Sequence, residues 1–172
     1  MKSQVYNSPI GPLLIAEEGG YIVEISFMEA DTRAKFRSDA QPGGATAKNP
    51  ETMPLPTEST VITACIAELE AYFAGKLRDF TVPIEPSGTD FRKKVWDALM
   101  TIPYGQTVSY KELAQRIGQP SASRAVGGAN NHNPISIIVP CHRVIGADGS
   151  LTGYGGGLKN KTFLLELEKR SQ

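Results

Sequence analysis

The spacing of hydrophobic and polar positions divides the chain into a strand-forming start and a mostly helical remainder. The first 28 residues contain three β-rich segments, QVYNS, GPLLIAEE and YIVEISF, separated by Pro and Gly turns, which predicts an antiparallel meander. Residues 29–57 lose the pattern and are rich in Pro, Gly and Ala, so we expect a mobile surface loop there. In STVITACIAELEAYFAG, apolar residues recur every three to four positions, which predicts a helix that ends at Gly75.

A Pro- and Gly-rich connector at 81–89 is the candidate domain boundary. The amphipathic stretch DFRKKVWDALMTI follows it and predicts a helix with Asp90 as its N-cap. Farther along, Ser109 and Glu112 match a capping box that opens the helix YKELAQRI. Gly118 ends this helix.

Past Pro120, Ser121 can cap a second short helix, ASRAVGGAN. Two short helices joined by a tight turn containing Gly indicate a helix-turn-helix, and an ordinary corner between helices is the alternative. The second helix is nearly bare, and its adjacent glycines cost about 1 kcal/mol each relative to alanine. We therefore expect a packed neighbour or a ligand to approach its backbone closely, beside its one long polar side chain, Arg124.

The C-terminal segments predict a strand, a hairpin and a final helix. SIIVP reads as a buried strand, and HRVIGADGSLTGY predicts a hairpin that turns at Asp148-Gly149. KNKTFLLELEKR predicts a closing helix with Phe163, Leu164 and Leu167 facing inward. The run GYGGG lacks the Lys-Ser/Thr pair of a phosphate-binding loop, so we do not assign nucleotide binding to it.

Composition indicates a soluble globular protein, with 40% hydrophobic and 21% charged residues in 172. The N-terminus has no apolar signal core, no run reaches membrane-spanning length, and two cysteines do not indicate a disulfide framework, so we expect a cytoplasmic protein. Net charge is zero, yet residues 1–85 hold 7 basic and 12 acidic side chains, whereas residues 86–172 hold 11 and 6. This asymmetry favours a polyanion as partner of the C-terminal half, although a scattered solvated surface would give the same count.

Cys141 stands between Pro140 and His142 and is the candidate nucleophile. An imidazole within hydrogen-bond reach can take the thiol proton, and an acid from another element, Glu166 or Glu168, can orient the ring. Too few Cys and His residues remain for a zinc site, and the C-x-x-C-H haem motif is absent. A cysteine hydrolase and a helix-turn-helix regulator remain as alternative functions. The other cysteine, Cys65, lies on the apolar stripe of the helix predicted in STVITACIAELEAYFAG, so we expect it to be a packed thiol.

Four motifs in fixed order, IPYGQTVSYKELA, ASRAVGGANNHNP, IIVPCHRVIG and YGGGL, resemble the methylated-DNA–protein-cysteine methyltransferases, the O6-alkylguanine-DNA alkyltransferases. The resemblance is strong over 88–168, and the first 85 residues are similar in layout alone. It implies an α/β N-terminal domain over 1–85, a small antiparallel sheet plus a helix. This domain would pack on a mostly α, winged helix-turn-helix C-terminal domain over 86–172.

The resemblance implies single-turnover repair of O6-methylguanine, and we extend it to O4-methylthymine. The base would be flipped out of the duplex, and Cys141 would accept its alkyl group by in-line displacement. His142 would act as base through water, and Glu168 would orient His142. Tyr110 would donate a hydrogen bond to the departing guanine, and Asn133 would brace the turn between the two recognition halves.

The same resemblance implies a DNA-binding surface and a substrate pocket. Arg124 would fill the stack in place of the flipped base, within a DNA-contacting set of Tyr110, Gln119, Ser123, Arg124 and Gly127. The implied pocket residues are Ser136, Val144, Tyr154, Gly155 and Gly156. Many members carry Ser where this chain has Gly155 and Pro where it has Ser136. The expected partner is double-stranded DNA carrying O6-alkylguanine, and we expect a monomer that needs no metal, cofactor, membrane or partner protein.

Overall fold

The three predicted strands form an antiparallel sheet in the computed structural model, which describes residues 1–28 and 59–172. The loop predicted over 29–57 lies outside the described residues. Strand β1 (Lys2–Ser8) pairs with β2 (Gly11–Glu18), and β2 pairs with β3 (Tyr21–Phe27), in the order β1-β2-β3. In β2 the alternate residues Leu13 and Ile15 are fully buried. In β3 the fully buried residues, Ile22 and Ile25, are three positions apart, because the pairing with β2 shifts register between them.

The first described helix, α1 (Thr60–Phe73), packs on this sheet. Its N-cap is Ser59, whose hydroxyl accepts a hydrogen bond from the backbone N–H of Ile62 at 3.3 Å. The apolar spacing predicted an inward stripe of Ile62, Cys65, Ile66, Leu69 and Phe73. Of these, Ile62, Cys65 and Leu69 are buried and Ile66 and Phe73 are half-buried, while Tyr72, which was not predicted, is buried as well. Burial, with the nearby charge of Glu68, raises the pKa of Cys65 to about 12, so this thiol is a packed, unreactive side chain as predicted.

The C-terminal half is mostly helical. Its elements are α2 (Asp90–Leu99), β4 (Val108–Ser109), α3 (Tyr110–Arg116), α4 (Ser123–Asn131), a 3₁₀ turn (Cys141–Arg143), β5 (Val144–Ile145) and α5 (Leu158–Arg170). The capping box of α3 is confirmed: the Ser109 hydroxyl accepts from the Glu112 N–H, and the Glu112 carboxylate accepts from the Ser109 N–H at 2.6 Å. Helices α3 and α4 pack against each other, as a helix-turn-helix requires.

Two predicted helix caps are each wrong by one residue. Asp90 is the first residue of α2, because Thr89 has the extended backbone of an N-cap and its hydroxyl accepts from the Arg92 N–H at 3.3 Å. Ser121 does not cap α4, whose N-cap is Ala122 with no side-chain hydrogen bond. The preceding turn, closed by the Ala122 N–H and the carbonyl of Gln119 at 2.9 Å, leaves Ser121 one residue too early.

The strand predicted for SIIVP is also wrong, although its burial is as expected. The segment folds into a tight turn in which the Ile138 N–H donates to the Ser136 carbonyl at 2.9 Å. Ile137 has φ +74°, and only isolated bridges occur at Ser136 and Val139. An apolar run looks the same in a buried turn as in a buried strand, which explains the error.

The predicted hairpin after Cys141 forms its turn without a return strand among the described residues. Gly146 N–H donates to the Ser150 carbonyl at 2.8 Å, closing the turn. Strand β5 instead pairs in parallel with β4. The carbonyl of Thr152, where the return strand was expected, accepts hydrogen bonds from the side chains of Tyr110 and Lys161.

Strand β3 joins the two halves of the molecule. The Ile22 N–H donates to the Pro83 carbonyl, and the Ile22 carbonyl accepts from the Glu85 N–H, both at 2.9 Å, so β3 is bonded to the connector. Ile25 donates to Pro134 at 2.8 Å and accepts from Ser136 at 3.0 Å. The N-terminal sheet thus fixes the chain just before Cys141.

The predicted fold class, a small antiparallel sheet plus helix packed on a mostly helical C-terminal half, is confirmed. Over the ranges described, no helix has both the length and the apolar character to cross a membrane.

Candidate active site

The Cys141 sulfur lies at the start of the 3₁₀ turn and is held from the side by Asn133. The Asn133 amide donates to Sγ at 3.1 Å and to the Val139 carbonyl at 2.8 Å, while its oxygen accepts from the Ile135 N–H at 3.0 Å. Cys141 is 4% exposed. One side chain therefore fixes both the sulfur and the shape of the turn that carries it.

Burial raises the pKa of the Cys141 thiol, and the Asn133 hydrogen bond and the charge of Lys161 oppose this effect without cancelling it. The resting side chain is therefore a thiol. Since the thiolate is the reactive form of cysteine, its proton must be removed during the reaction. A base within reach of the sulfur is required.

His142 is fully buried and is aligned by Glu168. Its Nε2 is 2.7 Å from Glu168 Oε1, and its Nδ1 has no hydrogen-bond partner among the described residues. A carboxylate accepts, so we assign the ring proton to Nε2, which leaves the Nδ1 lone pair available as a base. Burial lowers the pKa of His142 despite the opposing effect of Glu168, so the ring is neutral. No direct hydrogen bond between this ring and Sγ occurs in the described part of the chain.

Glu168 collects hydrogen bonds from four residues. Oε1 accepts from Tyr72 at 2.7 Å, His142 at 2.7 Å and Arg143 at 3.0 Å, and Oε2 accepts from Arg143 at 2.9 Å and the Gly105 N–H at 3.1 Å. Burial by itself would raise the pKa of this carboxyl. The hydrogen bonds from His142 and Arg143 and the Arg143 charge outweigh burial and hold its pKa well below the usual range.

Among the described residues, three buried polar side chains at this site were not predicted from the sequence: Tyr72 and Arg143, which donate to Glu168, and Lys161, whose charge acts on Cys141 and His142. The Lys161 side chain is fully buried and donates to the carbonyls of Val144 at 2.5 Å and Thr152 at 2.9 Å. A signal existed for Lys161, because it precedes Leu164 by one helical turn and Glu168 by two on the inward face of α5. Tyr72 and Arg143 gave no such signal, because each looks like an ordinary core or surface residue in sequence.

The predicted DNA-contacting residues lie around α3 and α4. Arg124 and Gln119 are exposed, outside the buried group, and Ser123 is half-buried. The Tyr110 hydroxyl donates to the Thr152 carbonyl at 2.9 Å. A Cβ added at Gly127 would make ordinary contact with the Tyr110 ring at 3.7 Å.

Gly128 stands out on this surface, since a Cβ added there would meet nothing within 4 Å among the residues that the structure describes. Packing between those residues does not require a glycine at that position. Of the two explanations offered for the bare helix, Gly128 therefore favours an approaching ligand over a neighbour from the described part of the chain.

The predicted pocket residues are spread over the loop before α5 and the turn before Cys141. Tyr154 packs edge-on against Phe27 with ring centroids 5.9 Å apart, and a Cβ added at Gly156 would lie 2.4 Å from the Phe27 ring. Gly155 is exposed and Ser136 is half-buried, while Val144 is fully buried. A cavity of about 400 Å³ lies between this loop and the N-terminal sheet and is not lined by Cys141.

The structure thus brings four predicted site residues together as two hydrogen-bonded pairs, Asn133 with Cys141 and His142 with Glu168, which meet because Cys141 and His142 are adjacent in the chain. The arrangement provides a thiol, a neutral imidazole with a free lone pair and an ionised carboxylate that orients it. Such a group performs nucleophilic chemistry at sulfur. Within residues 1–28 and 59–172, no three or more His, Cys, Asp or Glu side chains cluster as a metal site would require.

Both halves of the chain match models of known families. Residues 90–170 match the 6-O-methylguanine DNA methyltransferase, DNA binding domain, and residues 1–86 match the 6-O-methylguanine DNA methyltransferase, ribonuclease-like domain. The chain is 48% identical over 163 residues to the methylated-DNA–protein-cysteine methyltransferase of Mycobacterium bovis, covering 95% of this chain and 89% of that protein. The corresponding protein of Methanosarcina acetivorans is 48% identical over 164 residues, covering 95% and 96%.

The fold resembles a solved structure of similar sequence. A crystal structure of Mycobacterium tuberculosis OGT in complex with DNA superposes with a TM-score of 0.81 at 46% identity, covering 99% of this chain and 94% of that chain. A second structure, an O6-methylguanine DNA methyltransferase from Methanococcus jannaschii, gives a TM-score of 0.64 at 27% identity, covering 96% and 93%. The similarity therefore extends over both halves of the molecule.

Proposed function

Since the chain belongs to the methylated-DNA–protein-cysteine methyltransferase family and repairs O6-methylguanine in DNA, we propose that Cys141 is the residue that accepts the alkyl group. One observation supports this assignment above the others. The Cys141 sulfur is held by Asn133 at 3.1 Å, and the adjacent His142 is neutral and is aligned by Glu168 at 2.7 Å. The other cysteine, Cys65, is fully buried in the packed face of α1 and has a raised pKa.

The chemical step is a displacement at the alkyl carbon. His142 Nδ1 takes the thiol proton through a water molecule, and the thiolate of Cys141 attacks the carbon in line with its bond to guanine O6. The new S–C bond forms as the C–O bond breaks, and the electron pair leaves with guanine. Guanine finally acquires the proton that the thiol lost, so atoms and charges balance.

Tyr110 is the donor that we assign to the departing base. A hydrogen bond to guanine stabilises the negative charge that develops on it during displacement. In the structure the Tyr110 hydroxyl donates to the Thr152 carbonyl, so it must exchange this acceptor for the base when DNA binds. The product is a thioether, which water does not cleave, so each molecule acts once.

Double-stranded DNA carrying O6-alkylguanine is the proposed partner, with α4 against the minor groove. The exposed Arg124 and the bare surface at Gly128 support this placement, because a helix without bulky side chains fits a narrow groove. Flipping the base costs a few kcal/mol, less for a lesion that pairs poorly, and Arg124 would fill the gap. We include O4-methylthymine as a second substrate and assign DNA contact and transfer to residues 86–172.

The experiment is mass spectrometry of the intact protein after incubation with duplex DNA carrying one O6-methylguanine. We expect a gain of one CH₂ per molecule, located on the tryptic peptide that contains Cys141. Cys141→Ala should gain nothing, and the matched control Cys65→Ala should gain as much as the wild type. Methyl transfer retained by Cys141→Ala would overturn the assignment.

The number of moles of product per mole of protein distinguishes methyl transfer to Cys141 from the two alternative functions that the sequence left open. A helix-turn-helix regulator would produce no methylated protein, and a cysteine hydrolase would release many products per molecule. One equivalent, with no further release on longer incubation, is the result expected here.

A further inference from the structure

We propose that Tyr72, on helix α1 of the N-terminal half, is a positioning residue for alkyl transfer, because its hydroxyl holds the carboxylate that orients His142. This inference rests on the proposed role of Cys141 and His142. It assigns part of the transfer machinery to residues 1–85, outside the segment that carries the sequence motifs of the family.

The geometry places the Tyr72 hydroxyl at the junction between the carboxylate and the imidazole. It donates to Glu168 Oε1 at 2.7 Å, the same oxygen that lies 2.7 Å from His142 Nε2, and it is 3.5 Å from Nε2 itself. Tyr72 is fully buried, so this hydrogen bond does not compete with solvent. The position of Oε1, and with it the direction of the imidazole, depends on this donor.

Aromatic neighbours keep the Tyr72 ring in place. Its centroid lies 5.6 Å from that of Phe73, 5.4 Å from Phe80 and 6.1 Å from Tyr104. Burial and the charge of Glu168 raise the pKa of Tyr72, so the hydroxyl stays protonated and remains a donor throughout the working pH range. A rigid, permanently protonated donor is what a positioning role requires.

The other donors to Glu168 come from the C-terminal half. Arg143 spans both carboxylate oxygens and the Gly105 N–H reaches Oε2, which fixes the plane of the carboxylate at one edge. Tyr72 approaches Oε1, the oxygen that His142 uses. Among the described residues it is the one hydrogen-bond donor from the N-terminal half to this group.

Losing the Tyr72 hydroxyl should change the basicity of the imidazole. With one donor fewer, Oε1 carries more negative charge and stabilises a protonated His142 ring. The neutral base is then populated only at higher pH. The ionisable groups facing the ring are Tyr72 from α1, Glu168 and Lys161 from α5, and Cys141 and Arg143 from its own turn.

The test compares Tyr72→Phe with Tyr104→Phe. The Tyr104 hydroxyl is buried in the same aromatic cluster and has no hydrogen-bond partner in the described part of the chain, so its removal changes the packing to a similar degree. The measurement is the rate of alkyl transfer from free O6-benzylguanine across pH, which does not depend on DNA binding. Thermal unfolding of each variant reports whether the fold is kept.

For Tyr72→Phe we expect the rate to fall roughly fivefold at its plateau, the effect of losing one net hydrogen bond. We also expect the acid limb of the pH–rate profile to move to higher pH. Tyr104→Phe should match the wild type in both. A second variant, with fluorotyrosine at position 72, keeps the ring and donates more strongly, so its acid limb should move to lower pH.

An acid limb that is the same in wild type, Tyr72→Phe and the fluorotyrosine protein would overturn the proposal, as would equal losses in Tyr72→Phe and Tyr104→Phe. If Tyr72→Phe fails to fold, the fluorotyrosine protein still decides the matter. Failure of the proposed function would be seen separately, because Cys141→Ala would then retain transfer. A wild-type protein methylated at Cys141 with an unchanged Tyr72→Phe profile would remove this inference alone.

Discussion

Replacing Glu168 by Gln removes the buried charge on which the candidate site is built. The carboxylate accepts five hydrogen bonds from Tyr72, His142, Arg143 and Gly105. A Gln amide keeps one acceptor oxygen and directs its NH₂ at donors. With its NH₂ at the Oε2 position, Gln leaves the donors Arg143 Nε and Gly105 N–H unpaired, at about 1–3 kcal/mol each. With its NH₂ at the Oε1 position, Gln leaves an Arg143 N–H unpaired, and Tyr72 and His142 must turn from donors into acceptors. Arg143 also loses its buried counter-charge, so we expect a total cost of about 3–5 kcal/mol at about pH 7.

The cost should depend on pH in a defined direction. The pKa of Glu168 is lowered in the folded protein, so its contribution to stability is fully present above the unfolded pKa of about 4.3 and is lost as pH falls below that value. Each pH unit below it removes about 1.4 kcal/mol. At about pH 3 the difference between wild type and Glu168→Gln should therefore be smaller by roughly 1.8 kcal/mol.

Denaturant unfolding at about pH 7 and about pH 3 measures both differences. The matched control is Glu166→Gln, two residues away on the same helix and exposed, which should change the free energy of unfolding by less than about 0.5 kcal/mol. A cost for Glu168→Gln below about 1 kcal/mol at neutral pH would refute the reasoning. So would an equal cost at both pH values, because the carboxylate would then not be the stabilising species.

Three further predictions concern DNA and the pocket loop. Arg124→Ala should slow repair in duplex DNA by roughly tenfold and leave transfer from free O6-benzylguanine unchanged; equal losses on both substrates would argue against a role in base extrusion. Gly128→Ala should stabilise the protein by up to about 1 kcal/mol in thermal unfolding, since its Cβ meets nothing, whereas Gly128→Leu should weaken duplex binding in a fluorescence titration. If Gly128→Leu bound duplex DNA as the wild type does, the DNA would have to bind at a surface other than α4. Gly156→Ala should cost about 1–3 kcal/mol through its clash with Phe27, and adding Phe27→Leu should recover part of that cost; no recovery would mean the loop is strained elsewhere.

The sequence predicted those parts of the fold that local patterns determine. The three strands follow from β-rich runs separated by Pro and Gly turns, and α1 follows from apolar residues spaced three to four positions apart. The capping box at Ser109 places the start of α3 correctly. The segment 136–140 was mistaken for a strand because burial, not backbone pairing, is what an apolar run encodes. Its turn depends on Ile137 adopting φ +74°, which tertiary contacts impose against the preference of a β-branched residue.

The candidate site was predictable where its chemistry is concentrated in a motif and unpredictable where it depends on distant contacts. Cys141 and His142 are adjacent, and the resemblance supplied Asn133 and Glu168. Tyr72 reaches Glu168 across 96 positions of sequence, and no local pattern reports such a contact. Hydrophobic spacing placed residue 72 near the buried face of a helix without indicating that its hydroxyl meets a carboxylate.

Within residues 1–28 and 59–85, the N-terminal half contacts three different parts of the candidate site. Ile25 bonds the backbone on either side of Ile135, before Cys141; Phe27 packs against Tyr154 of the pocket loop; and Tyr72 holds Glu168. A domain that only covered apolar surface would need none of these specific contacts. The turn before Cys141 and the pocket loop contact β3, whereas the orienting carboxylate contacts α1. Small changes in the packing of α1 on the sheet would therefore move the carboxylate relative to the sulfur and the pocket loop. The N-terminal half therefore fixes the relative positions of the sulfur, the pocket loop and the carboxylate, although the residues proposed to touch the base come from the C-terminal half.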